Sequence, residues 1–150
     1  IAAELGVPFE TVPLARMVEA DVIVTITSSP AASLMNAHVA PGTHLACMGT
    51  DTRGKQEVEP ALLGRASVFT DEIAQAVSIG EAQHAVAAGL LDATAITPLG
   101  DVITGAHPGR RTEDEITLFD GTGVGLQDLA VAAMAVRRAE ERGQGTVVEV

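Results

Sequence analysis

Asp51 and Lys55 stand four positions apart, just beyond an apolar run that ends at Gly49. A carboxylate at hydrogen-bond distance from a reacting group can take or return a proton. A lysine beside it can offer positive charge to a phosphate or a carboxylate. Gly49 has no side chain, so a flat ligand can approach the backbone there. Open α/β sheets bind ligands at the carboxyl ends of their strands, and Asp51 follows a candidate parallel strand over residues 45–48. Taken alone, the same residues also describe a strand and a polar turn, with Asp51 capping the turn and Lys55 solvated.

Other stretches carry weaker chemistry. Gly121, Gly123 and Gly125 lie between a strand and a helix, where backbone N–H groups can cradle an anion. They do not make the dinucleotide fingerprint. The third glycine comes one residue early, and no acidic residue ends a second strand at the required distance. Thr25 and Thr27 lie at or just past a strand end. Hydroxyls there can bond a ribose or a carboxamide, or simply close a turn before Pro30. His38, His44, His84 and His107 are scattered without metal-ligand spacing, so no metal site is expected. Cys47 sits inside an apolar strand and reads as a buried, inert thiol. Arg110 and Arg111 with Glu113, Asp114 and Glu115 read as a solvated charge cluster or a set of loop salt bridges.

These side chains need a sheet to hold them. Residues 22–26 form a β-branched run of the kind buried on both faces of a parallel sheet. Residues 45–48, 68–69 and 117–119 are further short apolar runs expected as buried strands. Helical stretches separate them: residues 14–20, 60–63, 72–79 capped by Asp71, 81–88 after Gly80, a short helix or turn over 98–105, and the longest, 124–142. Leu126, Leu129, Ala130, Ala133 and Val136 give that last helix an apolar face. A final strand is expected over residues 146–150. The alternation argues an α/β, doubly wound, mostly parallel sheet.

The 150 residues suit one domain with a core of Ala, Val, Leu and Ile, since 47% are hydrophobic and only 2% aromatic. A net charge of -11 argues against nucleic acid and against an anionic membrane surface as partners. A single cysteine excludes an internal disulfide and fits a reducing, cytoplasmic setting. No apolar run reaches the length of a membrane span. The chain does not begin with Met, and Gly6 closes what reads as the tail of a helix, so a fragment lacking its amino-terminal part is expected.

Several motifs together are more specific. The run Met48-Gly-Thr-Asp-Thr-Arg-Gly-Lys-Gln-Glu-Val-Glu-Pro60 resembles the signature of the ornithine cyclodeaminase/mu-crystallin family. So do Gly80-Glu-Ala-Gln-His84, Glu113-Asp-Glu-Ile-Thr-Leu-Phe-Asp-Gly-Thr-Gly123 and Leu126-Gln-Asp-Leu129, in the family's order. The resemblance implies a Rossmann-type dinucleotide-binding domain that uses NAD or NADP, beside a substrate and dimerisation domain. It implies a small amino- or imino-acid substrate and a homodimer in the intact protein. Ornithine cyclodeamination to proline is the first activity it suggests. Alanine dehydrogenation and cyclic imine reduction are alternatives, and a non-catalytic binding protein of mu-crystallin type is another.

By the same resemblance Asp51 is the catalytic proton donor and acceptor. Thr25, Thr27, Met48, Gly49, Thr50, Lys55 and Gly121 line the cofactor, and Thr122 lies next to the substrate. Gly121 stands where ornithine cyclodeaminases often carry serine, which removes a hydroxyl donor. Residues 1–142 are then the carboxyl-terminal part of the Rossmann domain, with its first βαβ unit missing. Residues 143–150 return toward the other domain. The chain alone is expected to be inactive and to bind the cofactor poorly, because the phosphate-binding glycine loop is not in it.

Overall fold

The computed structural model describes residues 1–146 and 148. Its centre is a five-stranded sheet made of β1 (Val22–Thr25), β2 (His44–Cys47), β3 (Ser67–Thr70), β4 (Thr97–Pro98) and β5 (Thr117–Asp120). The strands lie in the order β1-β2-β5-β3-β4, and every pairing is parallel. The expected α/β sheet of Rossmann type is therefore present. The strand expected over residues 146–150 falls on Val147, Glu149 and Val150, which lie outside the described residues.

Register explains the core. Ile23, Leu45, Leu118 and Val68 pair across four strands, and all four are buried. Successive side chains in a strand point to opposite faces, so these four line one face. Leu62 and Leu63 of helix α2 (Pro60–Leu63) and Ala82 and Ala85 of α4 (Ala82–Ala87) join them in the core. Pro60 sits at the first helical position, where its missing N–H costs nothing. The short helices α1 (Ala2–Leu5), α3 (Ile73–Ala76) and α5 (Leu99–Ile103) and 3-10 turns at residues 14–19, 36–38 and 93–95 complete the connections up to β5.

The opposite sheet face corrects the reading of residues 22–26. Val22 is 59% and Val24 62% exposed, while Ile23 between them is buried. An open depression of about 600 Å³ runs along this face, lined by Val22, His44, Thr117, Phe119, Phe69 and α5. The run is hydrophobic on both faces, but only one face is covered by the described residues. The long helix α6 (Gly125–Glu141) has no buried residue, and Leu126, Leu129 and Val136 of its expected apolar face are exposed. Its stripe has the right period without a partner among the described residues.

Two local expectations also change. The helix expected over residues 72–79 is regular only over α3. The Ser78 hydroxyl donates to Ala74 O, and the N–H groups of Ile79 and Gly80 both turn back to Gln75 O. Glu72 caps α3 through the Ala74 N–H, while Asp71 reaches across to the exit of β5. The two-residue β4 is too short to leave a sequence pattern.

Candidate active site

Parallel pairing puts the strand exits side by side. Thr25 pairs with Cys47, Cys47 with Asp120, and Asp120 with Thr70. The segments that follow meet at one sheet edge: Thr27 after β1, residues 48–57 after β2, Asp71 after β3, and residues 121–124 after β5. This is the carboxyl edge, where open parallel sheets bind ligands.

Asp51 and Lys55 lie on the solvent side of that edge. Lys55 Nζ donates to Asp51 Oδ1 at 2.6 Å and lies 3.5 Å from Gly49 O. The Thr52 hydroxyl donates to the same Asp51 oxygen at 3.1 Å. The Lys55 hydrogen bond, the Thr52 hydroxyl and the Lys55 charge hold the Asp51 carboxyl below the ordinary aspartate range. Asp51 is thus an exposed, ionised carboxylate near neutral pH, kept so by a cation from its own loop. Met48, 42% exposed, leans across Gly121; a Cβ at Gly121 would stand 2.6 Å from Met48 Sδ. The ion pair thus reaches back to the carbonyl of Gly49, the residue that follows Met48.

Beneath this surface lie carboxyl groups that spacing did not flag. Glu57 is completely buried. It accepts the Thr25 hydroxyl at 2.8 Å, the Thr27 N–H at 2.5 Å and the Gly49 N–H at 2.9 Å. Glu81, also buried, accepts the Glu57 and Val58 N–H groups and the Thr50 hydroxyl. Burial raises the Glu81 carboxyl, against the pull of those donors. Asp120 accepts the N–H groups of Glu81 and Ala82 at 3.0 Å each, capping α4 from the neighbouring strand. Burial pushes Asp120 up to about 7, opposed by those two N–H groups and aided by Glu81.

The expected site residues fall into two groups. Asp51 and Lys55 pair at the surface of the sheet edge, Lys55 also reaches Gly49 O, and Met48 covers the buried Gly121. Thr25 and Thr50 turn their hydroxyls inward to Glu57 and Glu81, and Thr27 accepts the Ser29 N–H. Thr122 is buried, with its hydroxyl at Asp71 and Gln75. Gly49 is needed for a reason other than ligand approach. A Cβ there would collide with the Thr27 backbone and the Glu57 carboxyl carbon. Cys47 is buried, and burial raises its thiol far above the ordinary range. Among the described residues no group of His, Cys, Asp and Glu could hold a metal ion. No helix among them is long and apolar enough to cross a membrane. The acidic loop is structural: Glu115 accepts the Arg111 N–H and the Ser67 hydroxyl, which hold it down at about 2.

With the sheet and this edge in view, the chain belongs to the ornithine cyclodeaminase/mu-crystallin family, whose profile matches residues 5–143. It is 59% identical to the iminosuccinate reductase of Paracoccus denitrificans (strain Pd 1222), over 99% of this chain and 47% of that protein. The crystal structure of the Paracoccus denitrificans enzyme in complex with NAD+ superposes with a TM-score of 0.95, covering 99% of this chain and 46% of the other. An archaeal alanine dehydrogenase dimer with bound NAD gives a TM-score of 0.91 at 33% identity, covering 99% of this chain and 47% of the other. The chain spans about half the length of the curated relatives it matches, 47% in the first case.

Proposed function

We propose that the intact protein is an NAD-dependent oxidoreductase that reduces an α-imino acid, with iminosuccinate as the first substrate to test. The observation that carries this reading is the Asp51–Lys55 pair, which reaches Gly49 O just past Met48 at the joined exits of β2 and β5. The residues fit a nicotinamide: Met48, packed over the buried Gly121, offers an exposed apolar platform beside the ion pair's loop. When bound, the cofactor supplies or accepts hydride at the substrate carbon. Asp51, held ionised, stabilises the protonated imine on the substrate side and takes an amine proton in the oxidative direction. Lys55 keeps Asp51 charged and offers a cation to a substrate carboxylate.

The iminosuccinate reading draws on the 59% identity to a reductase of that name. Ornithine cyclodeamination has less support. A serine at position 121 would meet Met48 Sδ, so this site carries neither that hydroxyl nor room for it unless Met48 moves. Residues 1–142 serve here as the carboxyl-terminal part of the dinucleotide-binding domain, and residues 143–150 lead toward a substrate and dimerisation domain. A homodimer is the proposed assembly, consistent with the exposed apolar residues of α6.

The test is turnover by the intact protein, followed at the nicotinamide absorbance. Iminosuccinate and cyclic imino acids are offered with NADH or NADPH, and alanine and ornithine with the oxidised forms. Reduction of iminosuccinate with NADH is expected. Dinucleotide binding without turnover of any substrate would make this a binding protein instead.

A further inference from the structure

The motif Gly80-Glu-Ala-Gln-His84 has no part in the chemistry above, yet its polar side chains converge on the segment that carries it. Glu81 holds the Glu57 and Val58 N–H groups from beneath. Gln83 reaches the loop itself. Its Oε1 accepts the Gly54 N–H at 2.8 Å; its Nε2 donates to Gly80 O at 2.9 Å and lies 3.4 Å from both Thr52 O and Lys55 O. The His84 Nε2 is 3.0 Å from Lys55 O. A carbonyl only accepts, so that ring nitrogen carries the proton. The loop has little else to hold it. Residues 51–54 are exposed, and none of residues 51–56 is buried. Besides α4, the loop is tied within itself by the Asp51–Lys55 pair, the Thr52 hydroxyl to Asp51 and Lys55 N to Thr52 O, and to its surroundings by Lys55 Nζ to Gly49 O, Gln56 N to Ser29 O and Gln56 Nε2 to Val58 O. Gly54 adopts φ 86°, a turn that aims its N–H at Gln83.

We propose that Gln83 is a positioning residue: through its hydrogen bonds to the 52–55 backbone it fixes where Asp51 and Lys55 stand relative to each other and to the sheet edge. The role of Asp51 in this inference rests on the function proposed above. The Gly49 N–H is held by Glu57 and the Met48 N–H by Thr25 O, so cofactor contacts at the strand end do not depend on Gln83.

The experiment uses the intact protein with Gln83→Met, which keeps length and volume and removes every hydrogen bond. A displacement of about 1 Å at a reacting group can cost about a hundredfold in rate, so kcat is expected to fall between about tenfold and a hundredfold. The dissociation constant for NADH is expected to stay within about threefold. Introduced into an Asp51→Asn background, Gln83→Met should change the residual rate less than about twofold, because residues acting as a unit are not additive. A carbon-detected NMR titration of Asp51 supplies a readout independent of turnover. Gln83→Met should move the Asp51 carboxyl up toward the ordinary range as Lys55 drifts from it.

If Gln83→Met fails to fold, Gln83→Glu is measured instead. It keeps an acceptor for Gly54 and sets a carboxyl oxygen against three carbonyls, and the same loss of kcat and upward movement of Asp51 are expected. An unshifted Asp51 together with wild-type kcat overturns the proposal, as does an equal loss of rate in both backgrounds. A wild-type protein without turnover whose Asp51 still shifts with Gln83→Met defeats the enzymatic reading while leaving the positioning geometry upheld.

Discussion

Glu57 and Glu81 act in series: the Glu81 carboxyl takes the backbone N–H of Glu57 at 3.0 Å, while the Glu57 carboxyl takes those of Thr27 and Gly49 at 2.5 and 2.9 Å. The exits of β1 and β2 are therefore tied to each other and, through Glu81, to the start of α4. Replacing Glu57 by leucine keeps a similar volume and removes the acceptor of three donors, the Thr25 hydroxyl and the N–H groups of Thr27 and Gly49. The Gly49 N–H is buried, and an unsatisfied buried donor costs about 1–3 kcal/mol, so Glu57→Leu is expected to destabilise by at least about 1 kcal/mol. Urea unfolding of both proteins measures it.

Asp51→Asn keeps size and a hydrogen-bonding oxygen and loses the ability to take a proton. Turnover by the intact protein is expected to fall about two to four orders of magnitude, with NADH binding little changed. A turn cap would tolerate Asn almost without loss, since both residues cap well. Retention of more than about a tenth of the rate returns Asp51 to that lesser role.

Lys55 is the first cause of the lowered Asp51 carboxyl. Wild-type activity should therefore persist to pH values below the ordinary aspartate range on its acid side. Lys55→Met removes the cation, raises the Asp51 carboxyl and moves the acid limb of the rate profile upward. Profiles of kcat/KM against pH for the two proteins decide it; an unmoved limb contradicts the pairing.

Asp120 gives stability its own pH dependence. Its folded value is raised to about 7, so the native protein binds that proton more tightly than the unfolded chain does. The stabilisation is complete below the unfolded carboxyl value of about 3.9 and is lost as pH rises through the folded value. Asp120→Asn removes the titration while retaining one acceptor for the start of α4. The midpoint of urea unfolding should fall from pH 5 to pH 8 by more in the wild type than in the variant.

Cys47 is the only cysteine and is buried, with its thiol raised by burial. A thiol reagent should leave the native protein unlabelled near neutral pH and react fully once the chain is unfolded in urea. Rapid labelling of the native state contradicts this burial.

Much of this architecture is legible in the chain because parallel strands advertise themselves as short apolar runs. The strands at residues 44–47, 67–70 and 117–120 lie within a residue or two of where those runs stand. Asp51 and Lys55 were visible for the same local reason: four positions along a short loop bring them into contact. Glu57 and Glu81 were not. Nothing in their neighbours distinguishes a buried carboxyl from a solvated one, and all their donors but the Gly49 N–H come from more than twenty residues away. The inward turn of Thr25 and Thr50 follows from those hidden carboxyls. The exposure of Val22 and Val24 was equally unreadable, since an apolar run records what can be covered and not what covers it.

The strand at the middle of the sheet is the last of the five to be made. β5 alone joins β2 to β3, and it follows both in the chain. Until Thr117–Asp120 emerges during synthesis, the edges of β2 and β3 that β5 will cover stand open. Unpaired edges invite pairing with other chains. A nascent chain stopped before residue 117 therefore still presents those two edges to other chains, and the addition of residues 117–120 closes both at once.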